Sequence, residues 1–367
     1  MDDIKLPQFP EKSPAEYFQI ALDSIKRITG VDVTPDQMAR LFIEAGKVCD
    51  QSGEWDQALE SYERALEVCE DDAIRAEVLK QAGHIRSKRG EWEIALEAYN
   101  TSLEIFDQLE NLNEVGNVYN SIGYNYFGIG DMARTREYYD KALEIGRQCD
   151  DVQLISDVQN NLGILANVRG KLDDALTHYR QSRLGYEALG DNHGLAQVYH
   201  NMAMTYVGKR DWELAGEYYQ KSMELCVEIG DLYLISVIYA NKAQFALYLH
   251  APYVAKSYCD KASEVFEKTG NKLGMAEAYK LYGIIYLNMQ KWDSARAAFQ
   301  QGLEICDECN NQLTKAEIYY ELGALSNKEE ARQEALSQMQ EAVDIFEALG
   351  VDREAKKIKG EMQAIAV

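Results

Sequence analysis

A chain of 367 residues with 38 basic against 61 acidic side chains carries a formal charge of −23, which argues against nucleic acid or an anionic membrane surface as its partner. Its seven cysteines are odd in number and scattered, a usage that fits reduced thiols in the cytoplasm better than a disulfide framework. No stretch approaches the roughly eighteen uninterrupted apolar residues of a membrane span.

Residues 1–12 are acidic and proline-containing, with no apolar run of a signal peptide, and read as a disordered segment. Ser13-Pro14-Ala15-Glu16 joins capping-box spacing to proline at the first helical position. It predicts a lone helix from Pro14 to about Gly30, within a capping segment 13–34. Thr34-Pro35-Asp36-Gln37 repeats that start signal. Helix pairs then follow without linkers over about 35–69, 72–109, 112–149, 151–189, 191–229, 231–269, 271–309 and 311–349. In the tail, 350–367, Ile358, Met362 and Ile365 recur at helical spacing beside Arg353, Lys356, Lys357 and Lys359, the pattern of a closing helix with a solvated basic face.

The pairs are copies of one unit. A glycine or alanine near the middle of each first helix runs Gly46, Gly83, Gly123, Gly163, Ala203, Ala243, Gly283, Gly323, with a step of 40 from Gly83 onward. Twelve residues later comes a mostly small series, Ala58, Ala95, Thr135, Ala175, Ala215, Ala255, Ala295, Ala335. A mostly large series follows, Tyr62, Tyr99, Tyr139, Tyr179, Tyr219, Cys259, Phe299, Met339, and then a small one beginning at Ala65. Small residues let two helices approach, and large ones fill the space between stacked pairs. One pair cannot bury its own apolar face, so neighbouring copies must stack on it. At the turn between their helices repeat six reads His250-Ala251-Pro252 and repeat eight Lys328-Glu329-Glu330-Ala331, neither with glycine.

Asn161-Leu162-Gly163, Tyr282-Gly283, Gly90-Glu91-Trp92 with Ala95, and Gly170 with Leu172 and Ala175 resemble the tetratricopeptide repeat family in its forty-residue form. Similar long repeats occur in kinesin light chains, in the Leu-Gly-Asn-repeat adaptors and in bacterial peptide-sensing regulators. The resemblance covers about 37–349. It implies an all-α fold, a right-handed α-solenoid of about eight helix pairs with capping helices at both ends.

Motifs for catalysis or metal binding are weak. Gly128-Ile129-Gly130-Asp131-Met132-Ala133 matches a dinucleotide fingerprint on paper, but a helix and not a strand precedes it, so Gly130 reads as a repeat turn. Cys306 and Cys309 lack a second pair of ligands. The five histidines are spread over four repeats and read mostly as surface residues. The sequon Asn100-Thr101-Ser102 overlaps a core position. The expectation is therefore a non-enzyme with no cofactor, no metal and no small-molecule substrate.

The signal that remains is an amide ladder on the first helices, on positions that the resemblance assigns to the inner, concave face. It comprises Asn117, Asn120 and Tyr124; Asp157, Asn160 and Asn161; Gln197, His200, Asn201 and Met204; Asn241 and Gln244. An amide both donates and accepts, so a row of them can pair with the main chain of an extended segment whatever its side chains. Asparagine is a mediocre helix former, which gives its recurrence here a cost to be explained. The family's terminal-carboxylate clamp needs several cations, and this face offers Arg40, Lys80 and Lys280 among Glu44, Glu77, Glu277 and Glu321. The expected function is a cytoplasmic adaptor holding a neutral to basic extended segment of a partner protein. The alternative is a sensor whose solenoid changes pitch on binding a short signalling peptide.

Overall fold

The computed structural model describes residues 33–51, 54–309, 311–349 and 351–366. The disordered segment expected over 1–12 and all but the last two residues of the capping segment, 13–34, lie outside them. The described residues form helices and turns only, and the chain divides between Arg210 and Asp211 into two compact units.

In the first unit the helices are α1 (Pro35–Gln51), α2 (Trp55–Val68), α3 (Asp72–Lys88), α4 (Trp92–Gln108), α5 (Leu112–Ile129), α6 (Met132–Gln148), α7 (Val152–Val168), α8 (Leu172–Leu189) and α9 (Asn192–Lys209). The second holds α10 (Trp212–Ile229), α11 (Leu232–Tyr248), α12 (Pro252–Lys268), α13 (Lys272–Asn288), α14 (Trp292–Cys309), α15 (Gln312–Lys328), α16 (Arg332–Ala348) and α17 (Asp352–Ala366). Within each unit successive helices pack as antiparallel neighbours, and the first helices of successive pairs also touch: α1, α3, α5, α7 and α9 in one unit, α11, α13 and α15 in the other.

Local chemistry sets the boundaries. Thr34 and Gln37 form a reciprocal capping box, the Gln37 N–H donating to Thr34 Oγ1 at 3.2 Å and the Thr34 N–H to Gln37 Oε1 at 3.0 Å. Asp71, Asn111, Asp151, Asp191, Asp231, Asn271 and Asn311 each accept a first-turn N–H of the helix that follows, so one cap recurs with the repeat. At the turns inside the pairs the chain enters the left-handed region. Gly170 does so freely at φ +73, and His250 (φ 55) and Glu330 (φ 63) do so despite their side chains. The break therefore falls at the same place in repeats six and eight, glycine or not.

The periodic series fill the cores. Ala58, Ala95, Thr135 and Ala175 in the first unit, and Ala215, Ala255, Ala295 and Ala335 in the second, are fully buried. Thr135 fits because its hydroxyl turns back to the Asp131 carbonyl at 2.8 Å. The large series is buried as well, and where the reference residue of a pair is glycine the ring or thioether lies over it. A Cβ on Gly163 would stand 2.4 Å from Tyr179 Cε1, and one on Gly283 2.2 Å from Phe299 Cε1. The closing helix α17 lays Ala355 and Ile358 on the α16 cluster of Met339, Val343 and Phe346, with Met362 and Ile365 alongside.

Candidate functional site

The amide ladder falls on α5, α7 and α9, three first helices that lie side by side in the first unit. One helical turn places positions three and four apart on a common face, and the forty-residue step places equivalent positions opposite one another. The consequence is a set of rungs. Asn161 Nδ2 donates to Asn120 Oδ1 at 2.9 Å, and one repeat further Asn201 Nδ2 donates to Asn160 Oδ1 at the same distance. Asn120, Asn161 and Asn201 are half-buried and Asn160 is buried. Each rung ties one first helix to the next and engages one N–H of the donating amide, which carries a second.

The remaining members surround these rungs. Asn117 donates to Glu114 Oε1 at 3.3 Å, and Glu114 also holds the Lys80 ammonium at 2.5 Å. Tyr124 is partly exposed, its ring centroid 6.2 Å from that of His84. Gln197 Nε2 lies 2.8 Å from His193 Nε2. Met204 is half-buried, and His200 is buried. In the second unit Asn241 is half-buried and Gln244 exposed on α11, and that unit is described separately from the rungs.

Burial of His200 corrects the expectation of mostly surface histidines. His193 and His250 are exposed, whereas His84 and His178 are half-buried. Desolvation holds the His200 imidazole well below its ordinary pKa, at about 4, so it is neutral near pH 7.

Asp157 is the carboxylate of the ladder. It accepts from the Tyr186 hydroxyl at 2.6 Å and from Gln153 Nε2 at 3.2 Å. Burial pushes its carboxyl up to about 6 against the lowering pull of those two donors, and the charges of Asp191 and Asp151 add to the rise. Three other acids on first helices have lysine partners: Glu77 with Lys47 at 3.4 Å, Glu114 with Lys80, and Glu317 with Lys280 at 2.5 Å. Lys280 stands three residues before its reference glycine, as Asn120 does, and Glu317 six before, as Asp157 does. Asn120 thus replaces the cation that would have neutralised Asp157.

Sequence reasoning missed His84, Gln153 and Tyr186. His84 shares the register of Tyr124 and Met204, one residue after the reference position, so the repeat step itself points to it. Tyr186 comes from a second helix, and periodicity along the first helices gives no sign of it.

Among the described residues no group of three or more His, Cys, Asp and Glu is placed to hold a metal ion. Cys306 is buried, which pushes its thiol up to about 12, and Cys309 is raised by the same cause. Ser102 is buried and donates to the Ala76 carbonyl at 2.7 Å, as befits a core position. No helix of the described residues is long and apolar enough to cross a membrane.

Stacked antiparallel helix pairs with a recurring small-and-large core define an α-solenoid repeat protein. The tetratricopeptide repeat profile matches residues 37–108, 72–148, 114–183, 154–228 and 234–308, and this chain belongs to that family. No curated protein matches the sequence significantly. Among solved structures, the Cut9–Hcn1 hetero-tetramer of the APC/C is similar with a TM-score of 0.61 at 15% identity, over 95% of this chain and 60% of that one. The chain thus spans about three fifths of that protein's length. A Rap protein complexed with competence and sporulation factor is similar with a TM-score of 0.62 at 16% identity, over 82% of each chain. The Rap conjugation gene regulator of plasmid pLS20, solved with the Phr* peptide, gives 0.61 at 15% identity, over 95% of this chain and 99% of that one.

Proposed function

We propose that the chain is a non-enzymatic interaction protein of the cytoplasm that binds an extended peptide segment of a partner along α5, α7 and α9. The observation that carries this reading is the pair of rungs Asn161–Asn120 and Asn201–Asn160. Their amides retain hydrogen-bonding capacity, since each donating side chain has a second N–H, and a peptide main chain is the ligand that matches such a row without regard to sequence. Two proteins of similar fold were solved in complex, one with competence and sporulation factor and one with the Phr* peptide, and the latter supports a peptide as the class of ligand. Asp157 adds a preference for a lysine or arginine in the bound segment, because the register counterpart of Lys280 is missing beside it.

The rungs also favour a second reading. Each ties neighbouring first helices together, so a peptide that exchanges rung bonds for its own changes their spacing, and the protein then acts as a peptide sensor. The test begins with peptides selected from a displayed library on the intact protein. A selected peptide is then titrated against the parent and against the Asn161→Ala/Asn201→Ala variant. Weaker binding to a folded variant supports the proposal, and unchanged affinity puts the binding face elsewhere. Small-angle scattering with and without the peptide separates the sensor from the adaptor, since only the sensor changes dimensions.

A further inference from the structure

The second unit carries a site of different chemistry, formed by α11 and α12. One residue before the reference position, the other copies read Ala45, Ala82, Ile122, Leu162, Met202, Tyr282 and Leu322. Repeat six places Lys242 at that core-facing position, half-buried. A lysine in an apolar register requires a counterpart. Its ammonium lies 5.2 Å from the centroid of the Tyr258 ring. On the other helix Lys261 stands 6.0 Å from that same centroid and 5.4 Å from the centroid of Tyr239. The two tyrosines stack at 6.2 Å and line the core of the pair.

The register again shows what is missing. Arg64, Lys141 and Lys221 occupy the position of Lys261 in other repeats, and each is held by a glutamate four residues earlier: Glu60 at 2.6 Å, Glu137 at 2.7 Å and Glu217 at 2.6 Å. In repeat six that glutamate is Ser257. The nearby acids of α12 are engaged, Asp260 by Lys256 and by the Tyr282 hydroxyl, and Glu264 by Lys268. Helix α11 has no acidic residue. Among the described residues, then, two ammonium groups share one tyrosine ring with no carboxylate on either. Burial lowers the pKa of Lys242, and the charge of Lys261 lowers it further, as expected of an uncompensated pair.

We infer that Lys242 and Lys261, with Tyr239 and Tyr258 between them, form a binding site for a phosphoryl group. A single carboxylate would answer the half-buried Lys242 and leave Lys261 without an anion. A phosphate monoester brings roughly two negative charges near neutral pH and three acceptor oxygens, which answers both lysines. The phosphoryl group comes either from free phosphate or from a phosphorylated residue of a bound protein segment.

Phosphorus NMR of inorganic phosphate and of O-phospho-L-serine, each titrated with the full chain, reads the site directly, with thermal unfolding at matched ionic strength in parallel. The expected result is saturable line broadening and a rise in melting temperature with both ligands and with neither chloride nor glutamate. Both effects are lost in Lys242→Met, which installs the residue of repeat five, and in Lys261→Gln. The exposed position of Lys261 keeps the second variant informative even if the first fails to fold. Tighter binding of phosphoserine names a protein segment as the source, and tighter binding of inorganic phosphate names the free ion. Equal stabilisation of the parent and Lys261→Gln, or an effect of glutamate equal to that of phosphate, overturns the assignment.

Discussion

Asn161 Nδ2 meets Asn120 Oδ1 at 2.9 Å across two neighbouring first helices. The repeat of this bond at Asn201 and Asn160 shows that it is a property of the forty-residue register. The structural share of the rung is separable from the binding proposed for it. A double-mutant cycle on Asn120→Ala and Asn161→Ala is expected to give a coupling of about 0.5–1.5 kcal/mol in denaturant unfolding. Zero coupling would mean that the bond does not form in solution.

For binding, Asn161→Ala with Asn201→Ala is expected to weaken a captured peptide by about one to two powers of ten, if each lost hydrogen bond is worth roughly 0.5–1.5 kcal/mol. Circular dichroism checks that helix content is kept. Adding Asn241→Ala, in the second unit, tests whether the segment reaches that far; no further loss confines it to α5, α7 and α9.

Asp157 predicts a pH signature. Its carboxyl titrates in the folded chain at about 6, above the roughly 3.9 of an unfolded aspartate. Between those values the folded state binds more protons than the unfolded state, so this group's contribution to stability falls as pH rises through the window and its cost is complete above it. Asp157→Asn keeps an acceptor for the Tyr186 hydroxyl and removes the charge. The variant is expected to be more stable than the parent by about 1–3 kcal/mol near neutral pH, and no more stable at about pH 4. Urea unfolding at the two pH values checks it; a gain independent of pH would assign the effect to packing.

Gly163→Ala is expected to cost about 1–3 kcal/mol, because the added methyl meets the buried Tyr179 ring at 2.4 Å. Repeat six carries the compensated combination, Ala243 with the smaller Cys259, both buried. In the second unit, Gly283→Ala with Phe299→Cys should therefore destabilise by less than the sum of the two single changes. Additive losses in thermal unfolding would refute that coupling.

Ala255 is fully buried where α12 meets its neighbours. Ala255→Leu is expected to lower stability by about 1–3 kcal/mol through overpacking. Equal melting temperatures would show that the crossing has room.

The helix pairs, their boundaries and their core were legible in the chain because each is dictated by residues close in sequence. An aspartate or asparagine cap recurs with the repeat, apolar residues recur at helical spacing, and Gly163, Ala175 and Tyr179 stand at offsets that one pair must satisfy by itself. Repetition then tested that grammar many times over, and even His250 and Glu330 could not hide the turns. The candidate face was legible only as a row of amides. That Asn161 and Asn201 bond to Asn120 and Asn160, that His200 is buried, and that Asp157 is held by Tyr186 all depend on how one helix is rotated against the next. That rotation arises from packing between repeats, and no spacing within a repeat encodes it. The charge balance of single sites was hidden for the same reason. Lys280 neutralises Glu317 across a helix interface, and the equivalent interface leaves Asp157 without such a partner, whereas the loss beside Lys261, a glutamate replaced by Ser257, lies within one helix. An ion pair depends on distance in space, which the tertiary structure alone decides.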